Sequence, residues 1–371
     1  MTDRGRESAA TDPEPESAAT DPEPESAGTG RLKRRALTVV QWAVALGAFW
    51  WVARDVDWTA TADQLATVEP WILLAILGVT VLEFGSRFSM WYVLLNAREA
   101  TPLGTTARID LVIKFVNHVI PSKAAGHSVA PLVIRHYAET DWSEAVTVAA
   151  LNTGLYASLY GWVALAGVGL FATRLPNGVL VVIALSTGLY IVAGTVIVLA
   201  GRRLELAGSL FTGLERVAAG VPRIGGRLAG LAGKLPSFTE DSAAVFRDLS
   251  GRPSVVVPYA LGWAGTLMVF PGLRVWLLLT GLGGEFSPAI ALPLVLVMAY
   301  SVTILPLTPG GVGVAEASAT LVFTSLGVAP EVAGAVVLVD RTFGVYLPAL
   351  LGWIPMTDLD LASLLAGETE S

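Results

Sequence analysis

Three long runs of this chain contain no charged side chain. They span residues 145–173, 175–200 and 286–315, and each exceeds the roughly 20 apolar residues that a helix needs to cross the core of a bilayer. Charged residues make up 15% of the chain and hydrophobic residues 53%, whereas soluble domains are roughly 25% charged. Transmembrane β-strands alternate over about ten residues and would not give such runs. The sequence therefore predicts an all-α fold, a polytopic helical membrane bundle.

The two ends of the chain have a different composition. Residues 7–15 and 16–24 are identical, acidic and proline-rich, and such a segment cannot bury a core. We expect residues 1–35 to be a disordered tail that ends in a basic membrane-proximal segment, either merely solvated or binding a partner. The membrane domain is predicted over residues 36–355, and a short acidic tail over 356–371.

Charge in the polar segments predicts the topology. Residues 31–35 (Arg-Leu-Lys-Arg-Arg) directly precede the first apolar run, so the positive-inside rule places the N-terminus in the cytoplasm of a multi-pass cell-membrane protein. The net basic segment 201–252 is expected to be a cytoplasmic amphipathic linker, which either contacts anionic lipid or serves only as an anchor. We count about seven full spans and two shorter or re-entrant elements, hence about seven to nine segments.

The chain also resembles itself at an offset of about 185 residues, with halves at about 70–200 and 253–354. The matching pairs are Pro70 and Pro253, Trp91 and Trp276, Gly126 and Gly313, and Glu144 and Glu331. Chance similarity between apolar helices is the alternative explanation. If residues 105–137 form a re-entrant hairpin, the two halves enter the membrane from opposite sides, as inverted repeats do in many secondary transporters.

A proline- and glycine-rich break interrupts the last charge-free run. Residues 305–316 read Leu-Pro-Leu-Thr-Pro-Gly-Gly-Val-Gly-Val-Ala-Glu. Non-helical backbone at bilayer depth is tolerated only where it is buried in protein or lines a cavity, and broken helices build the substrate sites of many transporters. The alternative is a plain loop between two spans. We expect a site where this break meets a similar one at residues 120–127.

Ionisable residues within apolar segments are candidates for function because they are costly there. Glu83 and Arg87 lie one helical turn apart in the favourable order and are predicted to be a structural ion pair, with substrate gating as the alternative. The guanidinium of Arg binds phosphate in a bidentate manner, and the ammonium of Lys supplies a point charge. A phosphate-bearing head group is therefore the expected ligand. The predicted substrate-binding residues are Lys123, His127, Arg135, Pro309, Gly310, Gly311, Gly313, Glu316 and Arg341. For Arg341, an internal pair with Asp340 or Glu316 is also compatible with the sequence.

Several site classes find no support in the sequence. There is no cysteine, which excludes thiolate nucleophiles and Cys-based metal sites. The three histidines recur every nine residues, so they alternate between faces of a straight helix and do not indicate a metal site. No motif of a soluble catalytic or nucleotide-binding domain is present. We therefore predict no catalytic residue, metal, cofactor or nucleic-acid partner.

Residues 309–316, together with Asp340-Arg-Thr-Phe343 in the next span, resemble the membrane region of lysylphosphatidylglycerol synthases and their stand-alone, flippase-like relatives. The resemblance covers roughly residues 36–355. That family's first-half motif resembles Pro-Gly-Arg-x-Gly-Glu followed by an Arg, whereas this chain has Lys123 for the Arg and His127 in place of the Glu. The resemblance implies movement of a lipid, such as an aminoacylated phospholipid, between leaflets. Related membrane regions accompany glycosyltransferases that act on polyprenyl-linked sugars.

Three hypotheses follow. The leading one is a translocase of membrane lipids or polyprenyl-phosphate-linked sugars. The second is a membrane-embedded transferase with Glu316 or His127 as general base. The third is a non-transporting partner of a glycosyltransferase in cell-envelope assembly.

Overall fold

A computed structural model describes residues 69–119, 123–202, 244–305 and 307–357, together with a few isolated positions before them. The predicted N-terminal tail, residues 203–243 of the predicted linker and residues 358–371 of the C-terminal tail lie outside the described residues. All described residues from 69 onward belong to one structural unit, residues 41–371.

The first half consists of five helices. They are α1 (Pro70–Asn96), α2 (Leu103–Val119), α3 (Lys123–Ala138), α4 (Trp142–Phe171) and α5 (Asn177–Arg202). Proline occupies the first turn of α1, where its missing N–H costs nothing. Helices α2 and α3 pack against each other, and residues 120–122, which contain Pro121 and lie outside the described residues, separate them. We call this separation the first break.

The second half is made of shorter helical pieces. They are α6 (Pro253–Ala264), α7 (Phe270–Gly281), α8 (Leu292–Tyr300), α9 (Val314–Ser325), α10 (Pro330–Arg341), α11 (Leu347–Leu351) and α12 (Trp353–Met356). A π-helical segment, Gly265–Val269, joins α6 to α7, and another, Thr342–Tyr346, joins α10 to α11. Between α8 and α9 the chain leaves the helix over residues 305–313, which we call the second break.

Five helices among the described residues are long and apolar enough to cross a membrane. They are Pro70–Asn96, Trp142–Arg174, Asn177–Gly201, Pro253–Gly281 and Pro330–Met356. The described residues contain no β-strand, so the all-α membrane fold is confirmed. In each half a long helical segment is followed by two shorter helices and another long segment, and the first half has one further long helix, α5. The total of seven to nine segments and the inverted relation of the halves stay predictions.

The core consists of two hydrophobic clusters that meet along α1. One contains Ile72, Ile76 and Val79 with side chains of α7 to α10, and the other contains Met90 and Leu94 with side chains of α2, α4 and α6. Between these two groups lie the buried charges of α1. Because they sit at the middle of a 27-residue helix, they occupy the depth at which a charge in a bilayer is most costly.

Small residues allow α1 to approach the α6 helix and its π-helical segment closely. A Cβ on Gly262 would lie 2.7 Å from Oγ of Ser89, and one on Gly265 would lie 2.1 Å from Oγ of Ser86. Ser86 also donates a hydrogen bond to the carbonyl of Gly262. Small residues at a crossing let two backbones come together in a membrane, and here they bring the middle of α1 to the second half of the chain.

Candidate functional site

Arg274 of α7 lies between carboxylates from two other helices. Its Nε and Nη2 contact Oδ1 of Asp340 at 2.8 and 2.7 Å, and its Nη1 donates to Oε2 of Glu83. The three side chains are 1–4% exposed. A buried charge is tolerated when it is paired and hydrogen-bonded. The guanidinium of Arg274 gives both carboxylates a countercharge and N–H donors.

Arg87 extends this cluster along α1. Its Nη2 lies 2.8 Å from Oε1 of Glu83 and also donates to the carbonyl of Gly344 at 2.8 Å. Gly344 belongs to the π-helical segment Thr342–Tyr346, and π-bulges often occur at functional sites. A Cβ on Gly344 would lie 2.8 Å from Nη2 of Arg274, so only glycine leaves room for that guanidinium.

A second buried pair joins the two sides of the second break. Nε of Arg341, at the end of α10, donates to Oε1 of Glu316 at 2.8 Å, and the hydroxyl of Tyr346 donates to the same oxygen. The Arg341 guanidinium lies over the ring of Tyr300 at 5.3 Å, and the hydroxyl of Tyr300 donates to Asp340 at 3.2 Å. Tyr300 thus connects this pair to the Arg274 cluster. We call the whole set the arginine–carboxylate network; its charged members are Glu83, Arg87, Arg274, Glu316, Asp340 and Arg341.

The second break supplies the backbone that holds Glu316. Gly310, Gly311 and Gly313 have φ angles of 59°, 76° and 80°, a region that only glycine enters at little cost. Helix α9 begins directly after Gly313, which places Glu316 in its first turn. A carboxylate is favoured at a helix N-terminus, so the break fixes both the position of Glu316 and part of its electrostatic environment.

The structure brings together some of the predicted site residues and not others. Glu316 and Arg341 form an ion pair, and Pro309, Gly310 and Gly311 are buried in the second break. Arg135 is exposed and lies over the indole of Trp142 at 5.9 Å, whereas Arg341 is buried. The side chains of Lys123 and His127 lie outside the described residues. Glu83 and Arg87 are in contact, as reported above.

Arg274 and Asp340 were not among the predicted site residues. Their signal in the sequence is that each is an ionisable residue within a mainly apolar segment, but their pairing is not readable there because 66 positions separate them. Asp340 pairs with Arg274, and its neighbour Arg341 pairs with Glu316. Among the described residues, no three or more His, Asp and Glu side chains gather where they could hold a metal ion.

Several atoms of the network have no hydrogen-bond partner within the described ranges. They are Nε and Nη1 of Arg87, Nη2 of Arg341 and Oε2 of Glu316. All four atoms are buried, and a buried polar atom without a partner is uncommon and costly. Three of the four are guanidinium nitrogens, so the network has more free donors than free acceptors.

Comparison with known proteins agrees with these features. Residues 38–352 match the family described as the lysylphosphatidylglycerol synthase TM region. The chain belongs to this family. It is therefore an integral membrane protein of the lysylphosphatidylglycerol synthase TM family, and the matched range contains the whole arginine–carboxylate network and both breaks.

A curated relative is also similar over part of its length. It is a UPF0104 membrane protein of Methanocaldococcus jannaschii, 35% identical over 88 residues, and the match covers 24% of this chain and 26% of the relative. The matched part therefore spans about a quarter of that protein. No solved structure matches the chain.

Proposed function

We propose that this protein is a translocase that moves a lipid with a phosphate-bearing head group between the leaflets of the cell membrane. The ligand would be a phospholipid or a polyprenyl-phosphate-linked sugar. The observation that carries the proposal is the set of buried guanidinium nitrogens of Arg87 and Arg341 that have no acceptor among the described residues. Phosphate oxygens are the acceptors that match a guanidinium fork best.

The charges of the network support an exchange of partners. Its three arginines are balanced by three carboxylates, so the network is neutral when all six groups are charged. A phosphate that enters would compete with Glu316 for Arg341, because both are anions that seek the same guanidinium. Release of Glu316 would then loosen α9 from α10, which the pair Glu316–Arg341 holds together.

The second break would be the hinge of this movement. Glu316 is fully buried and Arg341 is 6% exposed, so the site is closed in this conformation and must open to admit a head group. The glycines at 310, 311 and 313 can absorb changes of backbone angle that other residues resist. Loss of the Glu316–Arg341 pair would couple ligand binding to opening.

The test is a leaflet-sidedness assay in proteoliposomes with acyl-labelled phospholipid and a labelled polyprenyl-phosphate sugar. Glu316→Ala and Arg341→Ala should abolish movement in protein that still elutes as a folded species. The matched control is Arg252→Ala, which removes an exposed arginine from its pair with Asp248 and should leave the rate unchanged. Equal rates in Arg341→Ala and Arg252→Ala would refute the proposed site.

The same assay separates the other two hypotheses. A membrane-embedded transferase would change the mass of the labelled lipid, which mass spectrometry of the recovered lipid would detect. A non-transporting partner of a glycosyltransferase would neither move nor modify lipid until that enzyme is added. Either result, with no movement by the wild-type protein alone, would refute the translocase proposal.

A further inference from the structure

Helix α2 carries a polar face inside the bundle. Asp110, Lys114 and Asn117 follow one another at i, i+4 and i+7, so they lie on one side of the helix. None of them belongs to the arginine–carboxylate network or to the residues predicted from the sequence. We call these three side chains the α2 polar face.

Polar atoms on this face lack partners within the described part of the chain. Asp110 is 6% exposed; its Oδ1 accepts a hydrogen bond from Nε1 of Trp91 at 3.2 Å, and its buried Oδ2 accepts none. The buried Oδ1 of Asn117 likewise has no donor. Two buried oxygens without donors, about two helical turns apart, indicate that something outside the described residues supplies the donors.

Lys114 is the member of the α2 polar face that interacts with the network. It is half-buried and interacts electrostatically with Arg87, Asp110, Glu83 and Arg341. Tyr156 of α4 likewise interacts with Arg87, Asp110 and Arg341. Trp91, which donates to Asp110, lies one helical turn after Arg87 on α1, so the α2 polar face lies next to the Arg87 end of the network.

The expected local pair does not form. An acidic residue four positions before a lysine is the favourable order for an ion pair on a helix. Asp110 and Lys114 nevertheless do not form one: the ion pairs among the described residues do not include these two side chains. Burial of unpaired charges is costly. Both groups remain available to a ligand that carries complementary charges and donors.

We infer that the α2 polar face recognises the part of the lipid head group that lies beyond its phosphate. This inference rests on the proposed function and deepens it. Lys114 would contact the phosphate, and the free oxygens of Asp110 and Asn117 would accept hydrogen bonds from hydroxyl or ammonium groups of the head. The ligand class is a phosphate ester whose head group carries N–H or O–H donors. A choline head group has none and should bind more weakly.

Binding tests this inference independently of transport. Full-length protein in detergent is titrated with short-chain phosphatidylglycerol, phosphatidylethanolamine and phosphatidylcholine and with a short-chain polyprenyl-phosphate sugar, and the shift of the melting temperature gives each affinity. Phosphatidylglycerol and the sugar test hydroxyl donors, and phosphatidylethanolamine tests an ammonium donor. At least one of these three should bind about tenfold or more tightly than phosphatidylcholine, the scale of one hydrogen bond to a charged group.

Variants locate the contacts. Lys114→Met should weaken every phosphate-bearing ligand about tenfold or more, and Lys114→Arg should restore most of that loss. Asp110→Asn should reduce the preference over phosphatidylcholine while it leaves phosphatidylcholine itself unchanged. The matched control is Arg108→Met, an exposed cation on the same helix, which should alter neither affinity nor preference.

The two proposals can fail separately. Equal affinity for phosphatidylcholine and the donor-bearing lipids, or variants of Lys114 and Asp110 that bind as Arg108→Met does, would overturn the inference about α2. Absence of any binding to the wild-type protein would overturn it as well. Selective binding that depends on Lys114 and Asp110, without movement in proteoliposomes, would support the α2 face and refute translocation.

Discussion

Gly310 of the second break packs against His118, which is near the end of the helix that leads into the first break. A Cβ on Gly310 would lie 2.5 Å from Cδ2 of the His118 ring, and the φ angle of Gly310 is 59°. The end of α2 and the second break are therefore in direct contact. Gly310 precedes Glu316, a member of the arginine–carboxylate network, by six residues.

Gly310→Ala should destabilise the protein because it adds both backbone strain and a collision. The positive φ costs about 1–2 kcal/mol, and overpacking against the ring adds about 1–3 kcal/mol. Thermal unfolding in detergent measures the loss. Gly283→Ala is the control, because Gly283 also has a positive φ of 67° but nothing within 4 Å of its Cβ position. If the two variants have the same melting temperature, the contact with His118 is not important for stability.

Arg274→Met should be among the most destabilising single changes. It leaves Glu83 and Asp340 buried without their shared cation, and breaking a buried pair typically costs about 3–5 kcal/mol. The melting temperature should fall far more than in Arg252→Ala, whose exposed pair is worth about 0–1 kcal/mol. Adding Asp340→Asn to Arg274→Met should recover part of the loss, because Asp340 pairs with Arg274 whereas Glu83 keeps its pair with Arg87. A double variant as unstable as the sum of its parts would contradict the charge argument.

Gly344→Ala should disturb the network without any change of charge. The new methyl group would lie 2.8 Å from Nη2 of Arg274 and 3.4 Å from Oε1 of Glu83, so the guanidinium must move away from its partners. We expect lower thermal stability and a reduced rate of lipid movement. Gly85→Ala, in α1 with nothing within 4 Å, should be neutral or stabilising because alanine favours a helix.

Tyr346→Phe should have a small effect. It removes one donor from Glu316, but Arg341 still holds the same oxygen, so we expect a loss of about 0.5–1.5 kcal/mol. A double-variant cycle of melting temperatures with Glu316→Gln isolates the interaction. Tyr92→Phe, an exposed tyrosine, is the control. A loss of stability as large as that of Arg274→Met would show that the Tyr346 hydroxyl stabilises groups other than Glu316.

The predicted inverted repeat can be tested by labelling. The chain contains no cysteine, so single cysteines can be added without further changes. Glu69→Cys and Gly251→Cys place an exposed thiol just before α1 and before α6. An impermeant maleimide applied to intact cells should label the first and not the second. Labelling of both, or of the second alone, would contradict the predicted topology of the two halves.

The sequence by itself determined the fold class, the family and the position of the second break. Long charge-free runs admit only membrane helices, since each backbone group must find its partner within the helix, and Pro309 with the three glycines after it excludes a continuous helix there. Glu83 and Arg87 could be paired from the sequence because one helical turn brings them together.

The tertiary structure alone decided which distant charges meet. Asp340 and Arg341 are neighbours in the chain, yet they pair with Arg274 and Glu316 respectively, because successive residues of a helix point in different directions. The free atoms of the α2 polar face were also invisible in the sequence. Whether a polar atom has a partner depends on the residues around it. For Asp110 these come from other helices, including Trp91 of α1.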